Sequence, residues 1–263
     1  MSFFVLFVLS AVLIGAGAML APVFATAQPR VGLASTVALA FVMSGGILWT
    51  RFIGWDTLVI DYLLFGLVSL VVLGGTMVQA HQKATGDDTI EPKITWMSRN
   101  DFLFLLILSL FCLIPLFSPM PLENDFMIAT GQTLPEIKTA YPQINQSGAT
   151  GFYILSVYLS AQLRQNIELV YPAVLSVLMI LTVLMAYDSG AEIRNTLTGR
   201  FFAVGMLIVL IIAYFLLPDL LPATMSLLFL LASLIFALRA IRYHEWRDIV
   251  NMVLLLLSFL LVS

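Results

Sequence analysis

The sequence predicts an all-α, multi-pass membrane protein, and two features carry that prediction. Of the 263 residues, 61% are hydrophobic and only 10% are charged, whereas soluble domains carry roughly a quarter charged residues. The hydrophobic residues also gather into runs of about 20, the length with which a helix crosses a bilayer core. Because a helix satisfies its own backbone hydrogen bonds in lipid, a chain of such runs folds as a helical bundle.

Eight runs are long and apolar enough to be interpreted as membrane spans. Connectors with turn residues such as Gln28-Pro29 and Gly54 separate the early ones. The first run is expected to be a retained span, because no Lys or Arg precedes it as in a signal peptide. The last run ends at Ser263 without a polar tail, so we expect the chain to be part of something longer. The predicted spans are 3–22, 32–53, 57–79, 101–118, 167–187, 201–217, 223–240 and 248–263.

One further segment, 149–163, has a helical pattern but is short for a span. Cytoplasmic loops are enriched in Lys and Arg, so the basic residues indicate whether this segment crosses the bilayer. If the segment crosses, five of the 12 basic residues lie on one side of the membrane and seven on the other. If it does not cross, nine share the cytoplasmic side: Arg30, Lys83, Lys93, Arg99, Arg194, Arg200, Arg239, Arg242 and Arg247.

The second arrangement is favoured, and it predicts eight spans with the N-terminus and loop 118–166 on the external side. Segment 149–163 then forms a surface or re-entrant helix, whose aromatic residues Phe152, Tyr153 and Tyr158 suit the membrane interface. We expect a three-helix N-terminal membrane segment over 1–80, a cytoplasmic loop over 81–100 and a core over 101–263.

The composition also excludes some functions. A formal net charge of −3 and the lack of a basic patch argue against a nucleic-acid partner. Cys112 is the single cysteine, so a cysteine-based metal site is excluded. His81 and His244 are far apart beside charged residues, which is typical of solvated loop residues.

Three carboxylates on the predicted external side are candidates for chemistry. Glu123 and Asp125 stand in the sequence P-L-E-N-D-F just past the fourth span, and Asp219 lies between two prolines in the next external loop. Such groups can bind a divalent cation through oxygen ligands or act as a general base. The structural alternatives are a solvated loop start or helix cap for the first two, and a turn residue or cap for Asp219.

Residues 100–263 resemble the N-terminal half of the GT-C superfamily of glycosyltransferases, which use polyprenyl-phosphate sugars. The resemblance rests on span 101–118, the acidic opening of the long loop, and a stretch that leads through Gly148-Ala149-Thr150-Gly151 into an aromatic helix. It continues with Tyr171-Pro172 early in the next span and with Tyr187-Asp188-Ser189-Gly190 before a basic turn.

The resemblance implies an enzyme that transfers a sugar to an acceptor on the external face. Asp125 would be the base or hold a divalent metal together with Asp219, and Glu123 would assist. The donor would be bound by Lys138, Arg164 and Tyr153. Membrane lipid and a polyprenyl-phosphate sugar are the partners expected from this interpretation.

Two other classes of function remain open. A non-catalytic structural subunit of a larger membrane complex would explain why few charges lie within the spans, and Gly45-Gly46 and similar small residues would allow close helix packing. Loop 118–166 would then contact a protein partner. A transporter or lipid-handling protein is the third class. Such proteins often show inverted repeats and broken helices, and neither feature is clear in this sequence.

Overall fold

The computed structural model describes residues 14–15, 30–52, 62–63, 65–66, 69, 73, 98–117, 155–160, 167–216 and 224–262. Within these ranges the chain forms helices and short turns, with no strand, which confirms the predicted all-α class. The helices are α1 (Val31–Phe52), α2 (Arg99–Phe111), α3 (Ile114–Phe117), α4 (Ile167–Ile193), α5 (Thr196–Leu216), α6 (Thr224–Tyr243) and α7 (Trp246–Val262).

Five stretches of these helices are long and apolar enough to cross a membrane. They are Val31–Trp49, Arg99–Phe117, Leu169–Ile193, Thr196–Leu216 and Ser226–Tyr243. Helix α7 has 17 residues, the lower end of the usual range for a span. The chain is therefore described as an integral, multi-pass membrane protein, while a total of eight spans stays a prediction.

Helices α4 and α5 differ most in their bounds from the prediction. Helix α4 continues to Ile193 although an end at 187 was predicted, and α5 begins at Thr196 although a start at 201 was predicted. Asp188 and Glu192 are buried near the end of α4. Because protein partners replace water around these polar side chains, the helix can continue past the predicted end of the span.

Helix α4 is the centre of the bundle. It contacts α1, α2, α3, α5 and α6, and its side chains are almost all buried. Helix α1 is also mostly buried and packs against α4 and α7. Helices α2 and α5, by contrast, expose broad apolar faces, as expected for helices that contact lipid or another protein.

Polar contacts near the helix ends fix the directions of the helices. They place the starts of α1, α2, α5 and α7 and the ends of α4 and α6 together, at what we call the network end. Helix α7 also runs parallel to α1, since the Ser44 hydroxyl donates to the Ser258 hydroxyl at 2.7 Å farther along both helices. The contacts at the network end are Gly32–Asp188, Asp101–Arg200 and Arg239–Asp248.

These directions bear on the two loops that carry the candidate carboxylates. Helix α3 ends and α4 begins at the end of the bundle opposite the network end, so segment 118–166 leaves from and returns to the same end. Helices α5 and α6 flank segment 217–223 in the same way. This agrees with the arrangement in which 149–163 makes no net crossing, while the side of the membrane that each end faces stays a prediction.

The short helical segment 155–160 differs from the expected interfacial helix in one respect. Tyr158 is 3% exposed and belongs to the hydrophobic core, as do Leu155 and Val157. Tyr158 therefore contacts other side chains of the protein, and its position at the membrane interface stays a prediction. Phe152 and Tyr153 lie outside the described residues.

The hairpin of α4 and α5 depends on a close approach of two glycines. Asn195 starts α5, since its side-chain oxygen accepts a hydrogen bond from the Thr198 amide at 2.9 Å. A Cβ on Gly199 would lie 2.6 Å from the Tyr187 carbonyl oxygen, and one on Gly190 would lie 2.8 Å from the Thr198 carbonyl oxygen. Small residues let the two backbones meet, as in other membrane helix pairs.

Candidate functional site

The residues that the sequence proposes for catalysis, donor binding and metal binding do not fall on the helices above. All six lie outside the described residues: Glu123, Asp125, Lys138, Tyr153, Arg164 and Asp219. Helices α3 and α4 flank the segment with the first five, and α5 and α6 flank the segment with Asp219.

The described residues contain a different polar site, at the network end. Six charged side chains from α4, α6, α7 and the start of α1 meet there, and we call them the charge network. Three are basic and three acidic, so their formal charges balance. They are Arg30, Asp188, Glu192, Arg239, Arg242 and Asp248.

Asp188 caps helix α1 from a distant part of the chain. Its Oδ2 accepts hydrogen bonds from the backbone amides of Gly32 at 2.6 Å and Leu33 at 3.2 Å. The first amides of a helix have no partner within the helix, and a carboxylate is also favoured there by the helix dipole. A Cβ on Gly32 would lie 2.7 Å from the carbonyl of Leu184, so a glycine is needed for α1 to come this close.

Glu192, one turn after Asp188 on the same helix, is where three arginines converge. Its Oε2 lies 2.9 Å from an amino nitrogen of Arg239 and 3.5 Å from Nε of Arg30. Arg242 lies 3.7 Å from Oε1 and donates to the Glu192 backbone carbonyl at 2.6 Å. This one side chain therefore connects α4 to α6 and to the start of α1.

Arg239 is the most deeply placed cation of the charge network. Its side chain is 1% exposed and contacts Asp248 in the first turn of α7 through Nε at 3.4 Å. Its guanidinium also lies 5.3 Å from the ring centre of Tyr243, a cation–π distance. Since desolvation of an unpaired charge is costly, this burial requires the carboxylates beside it.

A second, smaller cluster joins α2 to the hairpin. Ser98 caps α2 by accepting from the Asp101 amide and donating back to the Asp101 carboxylate at 2.6 Å. The other oxygen of Asp101 accepts from Nε of Arg200 on α5 at 2.7 Å. The Arg200 guanidinium in turn lies 5.7 Å from the ring centre of Phe104.

These contacts indicate a structural role for the described charges. The buried carboxylates Asp101, Asp188, Glu192 and Asp248 each contact an arginine or a helix N-terminus. Within the described ranges no three His, Cys, Asp or Glu side chains gather as a metal site. The charge network therefore fixes helix positions at one end of the bundle.

Sequence reasoning missed the charge network. In the sequence, Arg239, Arg242 and Arg247 serve only to predict the cytoplasmic side, whereas in the structure Arg242 donates a hydrogen bond to the Glu192 carbonyl. A usable signal existed, because Asp188 and Glu192 are one turn apart at the end of an apolar run, where ionisable groups are costly. Their partners could not be read from the sequence, since they lie on other helices.

Comparison with known proteins adds no further constraint on the site. No protein-family model, curated protein or solved structure matches this chain. The resemblance to the GT-C superfamily therefore stays a prediction from the residues quoted above, and the function is argued from the arrangement of this chain's own helices.

Proposed function

We propose that this integral membrane protein is a GT-C-type glycosyltransferase, which transfers a sugar from a polyprenyl phosphate to an acceptor outside the membrane. One observation supports the proposal more than any other. Segments 118–166 and 217–223, which carry Asp125 and Asp219, both adjoin helix ends at the end of the bundle opposite the charge network. A shared active site requires this, and the two segments could have adjoined opposite ends.

The charge network contributes indirectly to this proposal. Its arginines and carboxylates neutralise each other at the network end, which leaves them with a structural role. Chemistry is therefore assigned to the other end, where the two loops leave the bundle. A rigid scaffold at one end also suits a site that must position a donor and an acceptor.

The proposed reaction follows from one general base. Asp125 accepts the proton of the acceptor as the acceptor oxygen or nitrogen bonds to the anomeric carbon of the sugar. The bond from that carbon to the phosphate oxygen breaks, and polyprenyl phosphate leaves. The basic side chains Lys138 and Arg164 would stabilise the charge on the leaving phosphate; in the alternative role, Asp125 would hold a divalent metal with Asp219, and the metal would stabilise that charge.

The test is consumption of a polyprenyl-phosphate hexose by the protein in proteoliposomes that also receive a crude membrane extract as the source of acceptor, with release of polyprenyl phosphate as the readout. Asp125→Asn is expected to lower the rate by at least about 100-fold, the usual contribution of a general base. Asp88→Asn makes the same chemical change in the predicted cytoplasmic loop and should leave the rate unchanged. Equal rates for wild type and Asp125→Asn would refute the assignment of Asp125.

The second candidate is a non-catalytic subunit of a membrane complex, and the exposed faces of α2 and α5 favour it. Large apolar side chains cover these faces, among them Phe102, Phe111, Phe201, Ile212 and Phe215. For this role, the protein extracted in mild detergent should have a mass well above its own 29.0 kDa plus detergent, with a second polypeptide in fixed ratio. A chain that remains alone under these conditions argues against this role.

A further inference from the structure

A groove opens at the network end between the last turns of α4 and α6. It has a volume of about 290 Å³ and is lined by Glu192, Ile193, Leu238, Ile241 and Arg242. We call it the Arg242 groove. Three of its walls are aliphatic side chains that are about half exposed or more, and its polar wall carries the exposed Arg242 guanidinium beside the buried Glu192 carboxylate.

The groove lies at a boundary between apolar and polar surroundings. Ile193 and Arg242 belong to the last turns of the candidate spans Leu169–Ile193 and Ser226–Tyr243. A membrane span ends where hydrocarbon gives way to lipid headgroups. Aliphatic walls below and a guanidinium at the end of the span therefore match the two parts of a phospholipid.

Arg242 is held in place and is still accessible. Its contacts are with Glu192, whose backbone carbonyl accepts from it at 2.6 Å and whose Oε1 lies 3.7 Å away. These contacts do not use all the N–H donors of a guanidinium, and the side chain is 52% exposed. An anchored guanidinium of this kind recognises phosphate oxygens with little loss of side-chain entropy.

The charge at this end favours an anionic occupant. Among the described residues at this end, the carboxylates Asp188, Glu192 and Asp248 are buried and Glu245 is partly exposed, whereas the side chains of Arg99, Arg194 and Arg242 are exposed. A lipid headgroup at the network end therefore meets basic groups first. Basic pockets between membrane helices commonly hold anionic lipid headgroups.

We propose that the Arg242 groove binds an anionic glycerophospholipid, with its phosphate on Arg242 and an acyl chain along Ile193, Leu238 and Ile241. This site is separate from the proposed transferase site, because it lies at the other end of the bundle. The lipid would act as a bound structural partner of α4 and α6.

The experiment is native mass spectrometry of the purified full chain with equal amounts of phosphatidylglycerol and phosphatidylcholine. Wild type should retain one phosphatidylglycerol in preference to phosphatidylcholine. Arg242→Gln should reduce that preference roughly fivefold, the factor expected for one basic group near an anionic headgroup. Arg99→Gln removes an exposed charge at the same end, away from the groove, and should keep the wild-type preference.

A second variant separates lipid binding from folding. Ile241 is 72% exposed, so Ile241→Glu leaves the packing intact while placing a negative charge in the groove. It should also reduce the preference for phosphatidylglycerol. A wild-type preference in both Arg242→Gln and Ile241→Glu would overturn the proposal, and so would complete displacement of the lipid by millimolar inorganic phosphate, which would assign the groove to a free anion.

Discussion

Glu192→Gln is the most informative test of the charge network. The substitution keeps the size of a side chain that is 4% exposed and removes the negative charge beside Arg239 and Arg30. Loss of one partner of a buried ion pair costs about 3–5 kcal/mol, because the other charge stays buried without compensation. Arg239 retains Asp248 at 3.4 Å, which places the expected loss near the lower value, at about 3 kcal/mol.

The assay is reversible unfolding of the purified protein in mixed micelles, followed by circular dichroism as denaturing detergent is added. Arg194→Gln is the matched control, since this exposed residue follows directly after α4. Its free energy of unfolding should stay within about 0.5 kcal/mol of wild type. The double variant Glu192→Gln with Arg239→Gln should lose less than the sum of the two single losses, because the two side chains interact directly.

The reasoning fails if Glu192→Gln unfolds at the same detergent concentration as wild type. That result would mean that the buried charges do not hold α4, α6 and the start of α1 together. If the double variant lost as much free energy of unfolding as the two single variants together, Glu192 and Arg239 would act independently, which would contradict their 2.9 Å contact.

Three further predictions use the same unfolding assay. Gly199→Ala should reduce the free energy of unfolding by about 2 kcal/mol, because the added methyl group overpacks against α4. Gly205 lies on the same helix, but a Cβ there would meet nothing within 4 Å, so Gly205→Ala should stabilise by about 0.5–1 kcal/mol. Equal effects of the two substitutions would contradict the close approach of α4 and α5. His244 has a φ of 56° at the end of α6, so His244→Gly should stabilise by about 0.5 kcal/mol, and a loss would contradict this left-handed turn. Ser258→Ala removes the partner of Ser44 and should cost about 0.6 kcal/mol; no measurable cost would show that this interhelical bond contributes nothing.

Much of the bundle could be predicted because membrane helices are encoded locally. The apolar composition of α1, α4 and α5 and the length of α1 are visible in the sequence, and a helix in lipid needs no partner to satisfy its backbone. Seven basic residues of the described part of the chain gather at one end of the bundle, and the side of the membrane that this end faces stays a prediction. Arg30, Arg99, Arg194, Arg200, Arg239, Arg242 and Arg247 all lie at or beside helix ends at the network end.

The charge network could not be predicted because its contacts are distant in sequence. Asp188 caps a helix whose amides lie 156 and 155 positions away. Sequence spacing could show that Asp188 and Glu192 share one helix face, but it could not show which arginines meet them. The expected transferase site rests on segments outside the described residues, so Asp125 and Asp219 stay predictions.

The most direct test of the account asks whether those two segments share a side of the membrane. Single cysteines replace Asn124, Leu220 or Asn195 in a Cys112→Ala background, since Cys112 is the single, buried cysteine of the chain. Sealed vesicles of known orientation are then treated with a membrane-impermeant maleimide. We expect positions 124 and 220 to react from one side and position 195 only after the vesicles are opened, or the reverse in inverted vesicles. Reaction of positions 124 and 220 from opposite sides would contradict a shared site.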